Sequence, residues 1–212
     1  MQIADLRVDY KKEALDVDHL LADPLQQFEK WFQEALNAAV PETNAMVLST
    51  VDDRGQPNSR VVLLKGIEEG KFIFYTNYEG RKGKQIAQNH RVAINFFWQP
   101  LERQVNIIGT AEKVASEVSD HYFHSRPRKS QIGAWASSQS EPLANRNHLK
   151  KKFIRHALRY FGREVPRPPH WGGYGVKPSR IEFWQGRPSR LHDRMQYSLD
   201  QTGVWKIERL SP

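Results

Sequence analysis

The sequence predicts an α+β protein built on a mainly antiparallel sheet. Apolar residues between positions 25 and 36 recur with the period of an α-helix, whereas those from 45 to 113 alternate as in strands. A turn-forming segment at 52–56 joins two of these strands as a hairpin, and helical patterns return from 116 to 161 before further strands close the chain. Runs of strands separated from runs of helices are typical of the α+β class.

The first helix begins after Asp23, whose side chain is suited to capping, with Pro24 at the first helical position. Pro41 marks its end. Residues 1–20, in contrast, are polar and charged without a sustained apolar period, which predicts a mobile arm ahead of a single domain at 21–212. The helical face expected to pack on the sheet comprises Leu25, Phe28, Trp31, Phe32, Ala35 and Leu36.

Three strands follow the first helix, at Ala45–Val51, Pro57–Lys65 and Lys71–Thr76. A meander is the most economical topology for them, because consecutive strands usually pair. The later strands lie at Arg91–Trp98, Arg103–Lys113, 173–185, 195–199 and 204–210.

Two basic residues, Arg81 and Lys82, open a short helix after the third strand. The backbone N–H groups and the dipole at a helix start favour an anion, whereas basic side chains there disfavour the helix itself. The segment therefore indicates a phosphate site, with a solvated basic helix as the alternative.

Tyr122, Arg126 and Ser130 are spaced four residues apart. A continuous helix would align this phenol, guanidinium and hydroxyl on one side, although Pro127 limits such a helix because it tends to turn the chain. Three donors of this kind suit a phosphate dianion, to which the guanidinium can bind through two N–H groups.

Arg190, His192 and Arg194 stand at alternate positions after the strand-like run Ile181–Gln185. If the chain is extended there, the three side chains point to one face, where they are poised for an anion. A charged, solvated hairpin rim is the alternative.

Composition narrows the classes of function. The chain has 39% hydrophobic residues and no run of about 18 apolar residues, so a globular protein without a membrane span is expected. The first residues lack the apolar core of a signal peptide, which makes a cytoplasmic protein the default. Without cysteine there are no disulfides, thiolate metal sites or cysteine nucleophile, and we predict no metal. The net charge of +8 suits phosphorylated small molecules and leaves nucleic acid open.

A series of segments in consistent order then identifies a family. The segments are Arg60–Lys65, Phe74–Asn77 with Arg81 and Lys82, Leu101–Val105, Tyr122–Arg128, Ser130–Trp135, Trp171–Gly173, Ile181–Gly186, Arg190–Arg194 and the closing Trp205–Pro212. Together they resemble the pyridoxamine 5′-phosphate oxidase family, and the resemblance runs from the N-terminal arm to the last residue. One departure is Glu42–Asn44, where an acidic residue followed by Pro is usual.

The resemblance implies a split β-barrel with surrounding helices, assembled as a homodimer with two FMN sites at the subunit interface. Residues of both chains complete each site. The implied FMN-binding residues are Arg60, Val61, Lys65, Tyr75, Thr76, Arg81, Lys82, Gln104, Gln139, Ser140, Trp184 and Arg194.

The resemblance also implies an oxidase that converts pyridoxamine or pyridoxine 5′-phosphate to pyridoxal 5′-phosphate. Hydride passes to the flavin, and O2 reoxidises the flavin and yields H2O2. Arg190 and His192 are the implied catalytic residues, and no nucleic acid or membrane partner is expected. The implied substrate-binding residues are Lys65, Tyr122, Arg126, Ser130, Arg190 and His192, with Arg7 and Tyr10 as a lid pair on the N-terminal arm.

Three alternatives stay open. The first is a related split-barrel flavoprotein with another substrate, such as a flavin reductase or a phenazine-pathway oxidase. The second is a noncatalytic carrier of FMN or pyridoxal phosphate. The third alternative is a basic nucleic-acid-binding module, for which salt-dependent retention of an oligonucleotide is the test.

Overall fold

The structure is a computed structural model that describes Tyr10 and residues 14–212. In this part of the chain the helices are α1 (Pro24–Asn37), α2 (Arg81–Gln88), α3 (Ser116–Ser125), α4 (Arg128–Ala136) and α5 (Arg146–Arg159). The strands are β1 (Ala45–Val51), β2 (Pro57–Leu63), β3 (Gly66–Glu68), β4 (Lys71–Asn77), β5 (Arg91–Trp98), β6 (Arg103–Lys113), β7 (Trp171–Gln185), β8 (Asp193–Leu199) and β9 (Trp205–Leu210). Short 3₁₀ turns lie at Val17–His19, Gln99–Leu101 and Pro188–Arg190.

The strands form one antiparallel sheet in the order β2-β1-β5-β6-β7-β4-β3, and β8 pairs with β7 and β9. Strand β7 holds this sheet together. One of its edges pairs with β6, with a bulge at Ile108/Gly109. Its other edge pairs with β4 over residues 171–176 and with β8 over residues 180–185. The sheet therefore divides beyond β7 into two branches.

The main core lies between α1 and the sheet. Asp23 caps α1 by accepting a hydrogen bond from the Leu25 backbone N–H at 2.8 Å, as the sequence predicts. Phe28 is buried, and its ring lies 5.0 Å from the rings of both Phe72 and Phe96. Helix α1 thus anchors β4 and β5 on the same cluster of aromatic side chains.

A second, smaller core joins α3, α4 and α5 to the start of β7. Phe123, Ile132, Tyr160 and Val165 pack there with Trp171. Because Trp171 also opens β7, this core fixes the three helices against one end of the long strand.

The predicted meander is wrong. Strand β4 pairs with β7 and with the short β3, which the sequence did not indicate, and not with β2. Phe72, Ile73 and Phe74 of β4 are all buried, so both faces of this strand need cover. Strand β2 alternates between exposed and half-buried residues and lies at the sheet edge.

The expectation for the segment around Arg190 is also wrong. The chain is not extended through Arg190 and His192: Ser189 and Arg190 have φ of 58° and 62° within the 3₁₀ turn, and only Arg194 lies on a strand. The limit that Pro127 sets on a continuous helix is confirmed: helix α3 ends at Ser125 and does not continue to Ser130, because Arg126 is extended ahead of Pro127.

Leu36 differs from its prediction as well, since its side chain is 47% exposed although the rest of the α1 pattern packs as expected. Nothing in the described part of the chain offers a helix both long and apolar enough to span a membrane.

The aromatic core allows a prediction of how much stability is lost when a buried ring is removed. Phe28→Ala should lower the free energy of unfolding by about 3–5 kcal/mol, because the buried ring contacts several other aromatic rings. Phe161→Ala is the matched control: its ring is 83% exposed, so the change should stay within about 0.5 kcal/mol. Urea unfolding of the two variants measures both values, and equal losses would contradict the position of this core.

Candidate functional site

Two adjoining cavities, of about 580 and 390 Å³, lie between the sheet and the loop that follows α4. They share Lys82 and Gln139. The larger is lined by Val61, Lys65, Tyr75, Thr76, Tyr122, Arg126, Ser130 and Trp171 among others, and the smaller by Asn58, Arg60, Arg81 and Ser140. We refer to them as the large and the small cavity.

Arg60 lines the small cavity, and hydrogen bonds to other residues of the chain fix the position of its guanidinium. Nη1 donates to the Leu48 carbonyl at 3.2 Å and to Thr50 Oγ1 at 2.6 Å, and Nη2 donates to Asn58 Oδ1 at 2.6 Å and to Gln85 Oε1 at 3.3 Å. Burial, and secondarily the nearby Arg81, lowers the pKa of Arg60. Arg60 has a lowered pKa and two cations beside it, Arg81 and Lys82. A bound anion would therefore stabilise its charged form.

Lys82 forms the boundary between the cavities. Its Nζ donates to Thr76 Oγ1 at 3.1 Å and to Gln139 Oε1 at 2.9 Å. Burial lowers its pKa, and Arg60 adds to the effect. Lys82 lies in the first turn of α2, where no side chain caps the helix and no acidic residue is present. The predicted anion site at this helix start therefore has the donors and charge that a phosphate needs.

Aromatic rings form one wall of the large cavity. The rings of Tyr75 and Tyr122 are stacked at 3.9 Å, and Tyr75 also stacks on Trp171 at 5.5 Å. The Arg126 guanidinium lies 4.5 Å from the centre of the Trp171 ring. Burial, first of all, raises the pKa of Tyr75 to about 12, so this phenol stays a hydrogen-bond donor at neutral pH.

Arg126 gives the clearest indication that the large cavity binds an anion. Its Nη1 is buried and has no hydrogen-bond partner within the described part of the chain. Burial lowers the pKa of this guanidinium. An unpartnered donor of a buried cation is costly, and an anion in the cavity would satisfy it.

A second cluster lies at the far end of β7. In register, Gln104 of β6 stands opposite Trp184, and Trp184 opposite Arg194 of β8, so the three side chains form a row on one face. His192 packs against Trp184 with ring centres 4.6 Å apart. None of the residues that line the two cavities belongs to this cluster.

His192 is held in one tautomer. Its Nδ1 lies 3.1 Å from the Arg187 backbone N–H and accepts a hydrogen bond from it. Burial lowers the pKa of His192, the nearby Arg190 adds to this effect, and Asp193 opposes it. The imidazole is therefore neutral at pH 7, with its proton on Nε2.

Sequence comparisons place these features in a family. The sequence profile described as "Pyridoxamine 5′-phosphate oxidase" matches residues 32–159, and that of the "Pyridoxine 5′-phosphate oxidase C-terminal dimerisation region" matches residues 171–212. The chain belongs to the pyridoxamine 5′-phosphate oxidase family. Relatives named pyridoxine/pyridoxamine 5′-phosphate oxidase are 55% identical in Bacteroides thetaiotaomicron (99% of each chain) and 56% identical in Bordetella petrii (100% of each). The predicted family and enzyme class are confirmed.

Solved structures confirm the predicted split-barrel fold of this family. PhzG of Burkholderia lata, in complex with tetrahydrophenazine-1-carboxylic acid, has a TM-score of 0.89 and 27% identity over 97% of this chain and 100% of its own. An FMN-binding protein of Nostoc punctiforme has a TM-score of 0.71 at 14% identity, over 91% and 100% of the two chains.

The family's predicted site residues fall into two groups in the structure. One group lines the two cavities, and the other surrounds Trp184. Their roles as ligands stay predictions. The cavity group is Arg60, Val61, Lys65, Tyr75, Thr76, Arg81, Lys82, Tyr122, Arg126, Ser130, Gln139 and Ser140; the other is Tyr10, Gln104, Trp184, His192 and Arg194, with Arg190 exposed in the adjoining turn.

Tyr10 covers the second cluster, whereas its predicted lid partner Arg7 lies outside the described residues. The Tyr10 ring meets Trp184 and His192 edge-on, at 5.7 and 5.6 Å. Gly186 permits this approach, because a Cβ there would lie 2.8 Å from the Tyr10 ring. Sequence reasoning missed this role of Gly186, for which a Trp-Gln-Gly motif gives no local signal.

The neutral state of His192 predicts a pH effect on stability. Because its folded pKa lies below 6.5, the unfolded chain takes up the proton first as pH falls, so stability is complete above pH 6.5 and is lost below it. His192→Asn keeps an acceptor close to the position of Nδ1 but does not titrate. Urea unfolding at pH 7.5 and 5.5 should therefore show a smaller acid loss in this variant, and an equal loss would contradict the assignment.

Proposed function

We propose that the chain is an FMN-dependent oxidase of pyridoxamine or pyridoxine 5′-phosphate. The observation that carries this proposal is that two adjoining cavities are each lined by cationic side chains, one around Arg60 and one around Arg126, whose buried Nη1 has no partner in the described part of the chain. Two phosphorylated ligands side by side, a flavin nucleotide and a phosphorylated substrate, account for both. The names of the relatives at 55–56% identity agree with the phosphorylated substrate.

The small cavity fits the FMN phosphate. Arg60, Arg81 and Lys82 supply three cations, and the start of α2 adds backbone donors. Ser140 and Gln139 of the loop after α4 contribute polar groups.

The large cavity fits the substrate phosphate. Arg126 offers its buried Nη1, and Tyr122, Ser130 and Lys65 line the same space. The helical break at Pro127 does not separate these donors, since α3 and α4 meet around the cavity. Tyr122, Arg126 and Ser130 thus line one cavity without a continuous helix, which supports the proposed site for the substrate phosphate.

We further propose a homodimer, because one chain separates the two groups of site residues. Trp171 and Trp184 lie near opposite ends of β7, a 15-residue strand that is on the order of 45 Å long if straight. The sheet face that bears the row Gln104–Trp184–Arg194 also bears Val47, Val61, Leu63 and Phe97, each at least 38% exposed. A second copy packed on this apolar face would bury it and bring its Trp184 cluster towards the cavities.

The chemistry is a two-electron oxidation at the carbon that bears the amine or alcohol. FMN, when bound, accepts a hydride equivalent from this carbon and passes the electrons to O2. The alcohol and O2 give the aldehyde and H2O2; the amine, O2 and water give the aldehyde, ammonia and H2O2.

The chain contributes position and electrostatics to this reaction. The anion sites fix both phosphates, and the aromatic residues exclude water from one side of the large cavity. Because Nδ1 of His192 accepts from the Arg187 N–H, the proton lies on Nε2, and we assign this N–H to donating a hydrogen bond to the substrate. Arg190 is exposed in a turn with two left-handed residues, Ser189 and Arg190 itself, and we assign it to orienting the substrate.

A second candidate is a phenazine-pathway oxidase, which the high similarity to PhzG favours. Its ligand carries a carboxylate in place of a phosphate ester. The dianion site around Arg126, together with the higher identity to the vitamin B6 oxidases, favours the phosphorylated substrate.

An anaerobic spectrum tests the proposed function directly. The protein reconstituted with FMN should lose its flavin absorption when pyridoxine 5′-phosphate is added, and regain it in air with release of H2O2. Bleaching with a dihydrophenazine carboxylate alone would favour the second candidate. A flavin spectrum that neither compound bleaches would contradict both oxidases.

Arg126→Ala should raise the KM for pyridoxine 5′-phosphate at least tenfold, because the substrate phosphate loses a charge-assisted hydrogen bond. Its affinity for FMN should stay unchanged, since Arg126 lines only the large cavity. Lys129→Ala is the matched control: it removes a positive charge from an exposed position on α4 and should leave KM unaltered. Steady-state kinetics of the two variants measures this, and equal KM values would remove Arg126 from the site.

A further inference from the structure

All three nitrogens of the Arg194 guanidinium donate hydrogen bonds to other residues of the chain. Its Nε donates to Glu182 Oε1 at 2.7 Å, and Nη2 donates to Glu182 Oε2 at 3.1 Å, so the carboxylate and guanidinium form a two-point pair. Nη1 donates to the Ser211 carbonyl at 3.0 Å. Of the five N–H bonds of the guanidinium, this arrangement leaves one on each terminal nitrogen for other acceptors.

The register of the sheet explains how Glu182 reaches Arg194. Glu182 precedes Trp184 by two residues on β7, so both side chains lie on the same face. Arg194 stands directly opposite Trp184 on β8, and Glu182 therefore meets it diagonally. The side chains of Arg194 and Glu182 are 31% and 17% exposed, which limits screening of their attraction by water.

We propose that Glu182 is a positioning residue of the flavin site, which fixes the Arg194 guanidinium beside Trp184 and Gln104 so that its remaining N–H bonds face the bound FMN. This inference rests on the proposed function. The hydrogen bond to Glu182, above all, raises the pKa of Arg194 and so further favours the charged guanidinium. Glu182 acts through Arg194 and needs no contact with the ligand itself.

A purely structural role predicts something different. A cross-strand ion pair that only joins β7 to β8 would affect unfolding and leave ligand affinity unchanged. The two roles therefore separate in an experiment that measures FMN affinity and thermal stability on the same protein.

The test compares Glu182→Gln with Glu208→Gln, using the full chain freed of flavin. Glu208 lies on β9, on the same sheet face, and is exposed; it stands diagonal to Arg194, as Glu182 does, but the described part of the chain has no hydrogen bond or ion pair between Glu208 and Arg194. This control therefore makes the same charge change without removing a partner of Arg194. Quenching of FMN fluorescence on binding gives the Kd, and thermal unfolding without FMN gives the midpoint. We expect Glu182→Gln to raise the Kd about tenfold or more, as loss of a charged partner implies, and Glu208→Gln to leave it unchanged.

A double-variant cycle with Arg194→Ala completes the test. If Glu182 acts through Arg194, then Glu182→Gln has no further effect on the Kd in the Arg194→Ala background. An unchanged Kd for Glu182→Gln, or an equal loss in that background, would overturn the inference. If Glu182→Gln fails to fold, Glu182→Asp provides the measurement, with a smaller rise in Kd expected. Failure of the unaltered chain to bind FMN would instead count against the proposed function.

Discussion

The pairing of β7 is the constraint on which the rest of the structure depends. A strand of 15 residues needs partners along its whole length, and β6 satisfies one edge while β4 and β8 divide the other. The start of β7 anchors the helices around Trp171, and its end presents Trp184 on the exposed face. One continuous ladder thus sets the distance between the two groups of predicted site residues, and in the proposed homodimer a second copy would bring them together.

The sequence correctly predicted features that depend only on residues close together along the chain. Asp23 and Pro24 placed the start of α1, and Pro127 warned of the break after α3, because capping and the loss of a backbone N–H act within a few residues. Arg81, Lys82 and Arg126 were singled out by the helix-start and spacing arguments, whereas Arg60 and Lys65 were recognised through the family's motifs. The cationic residues of the small cavity converge because β2, α2 and the loop after α4 meet there.

Nonlocal pairing could not be predicted in the same way. The union of β4 with β7 joins residues about a hundred positions apart, and no local pattern in either strand specifies its partner. Arg190, His192 and Arg194 were expected on one face because side chains alternate along an extended strand. This expectation failed at the turn, since the left-handed residues Ser189 and Arg190 interrupt the extended backbone. Glu182 was missed because its partner is identified by sheet register rather than by spacing along the chain.

Arg60 has a consequence for how quickly the protein can take up a ligand. Four acceptors hold its guanidinium, so the conformational entropy of this long side chain is lost when the chain folds and not when a phosphate arrives. The small cavity is in this sense preorganised, because the positive charge of Arg60 is fixed in position before a dianion arrives. Attraction by the surrounding positive charge then governs the encounter, which makes the association rate sensitive to ionic strength.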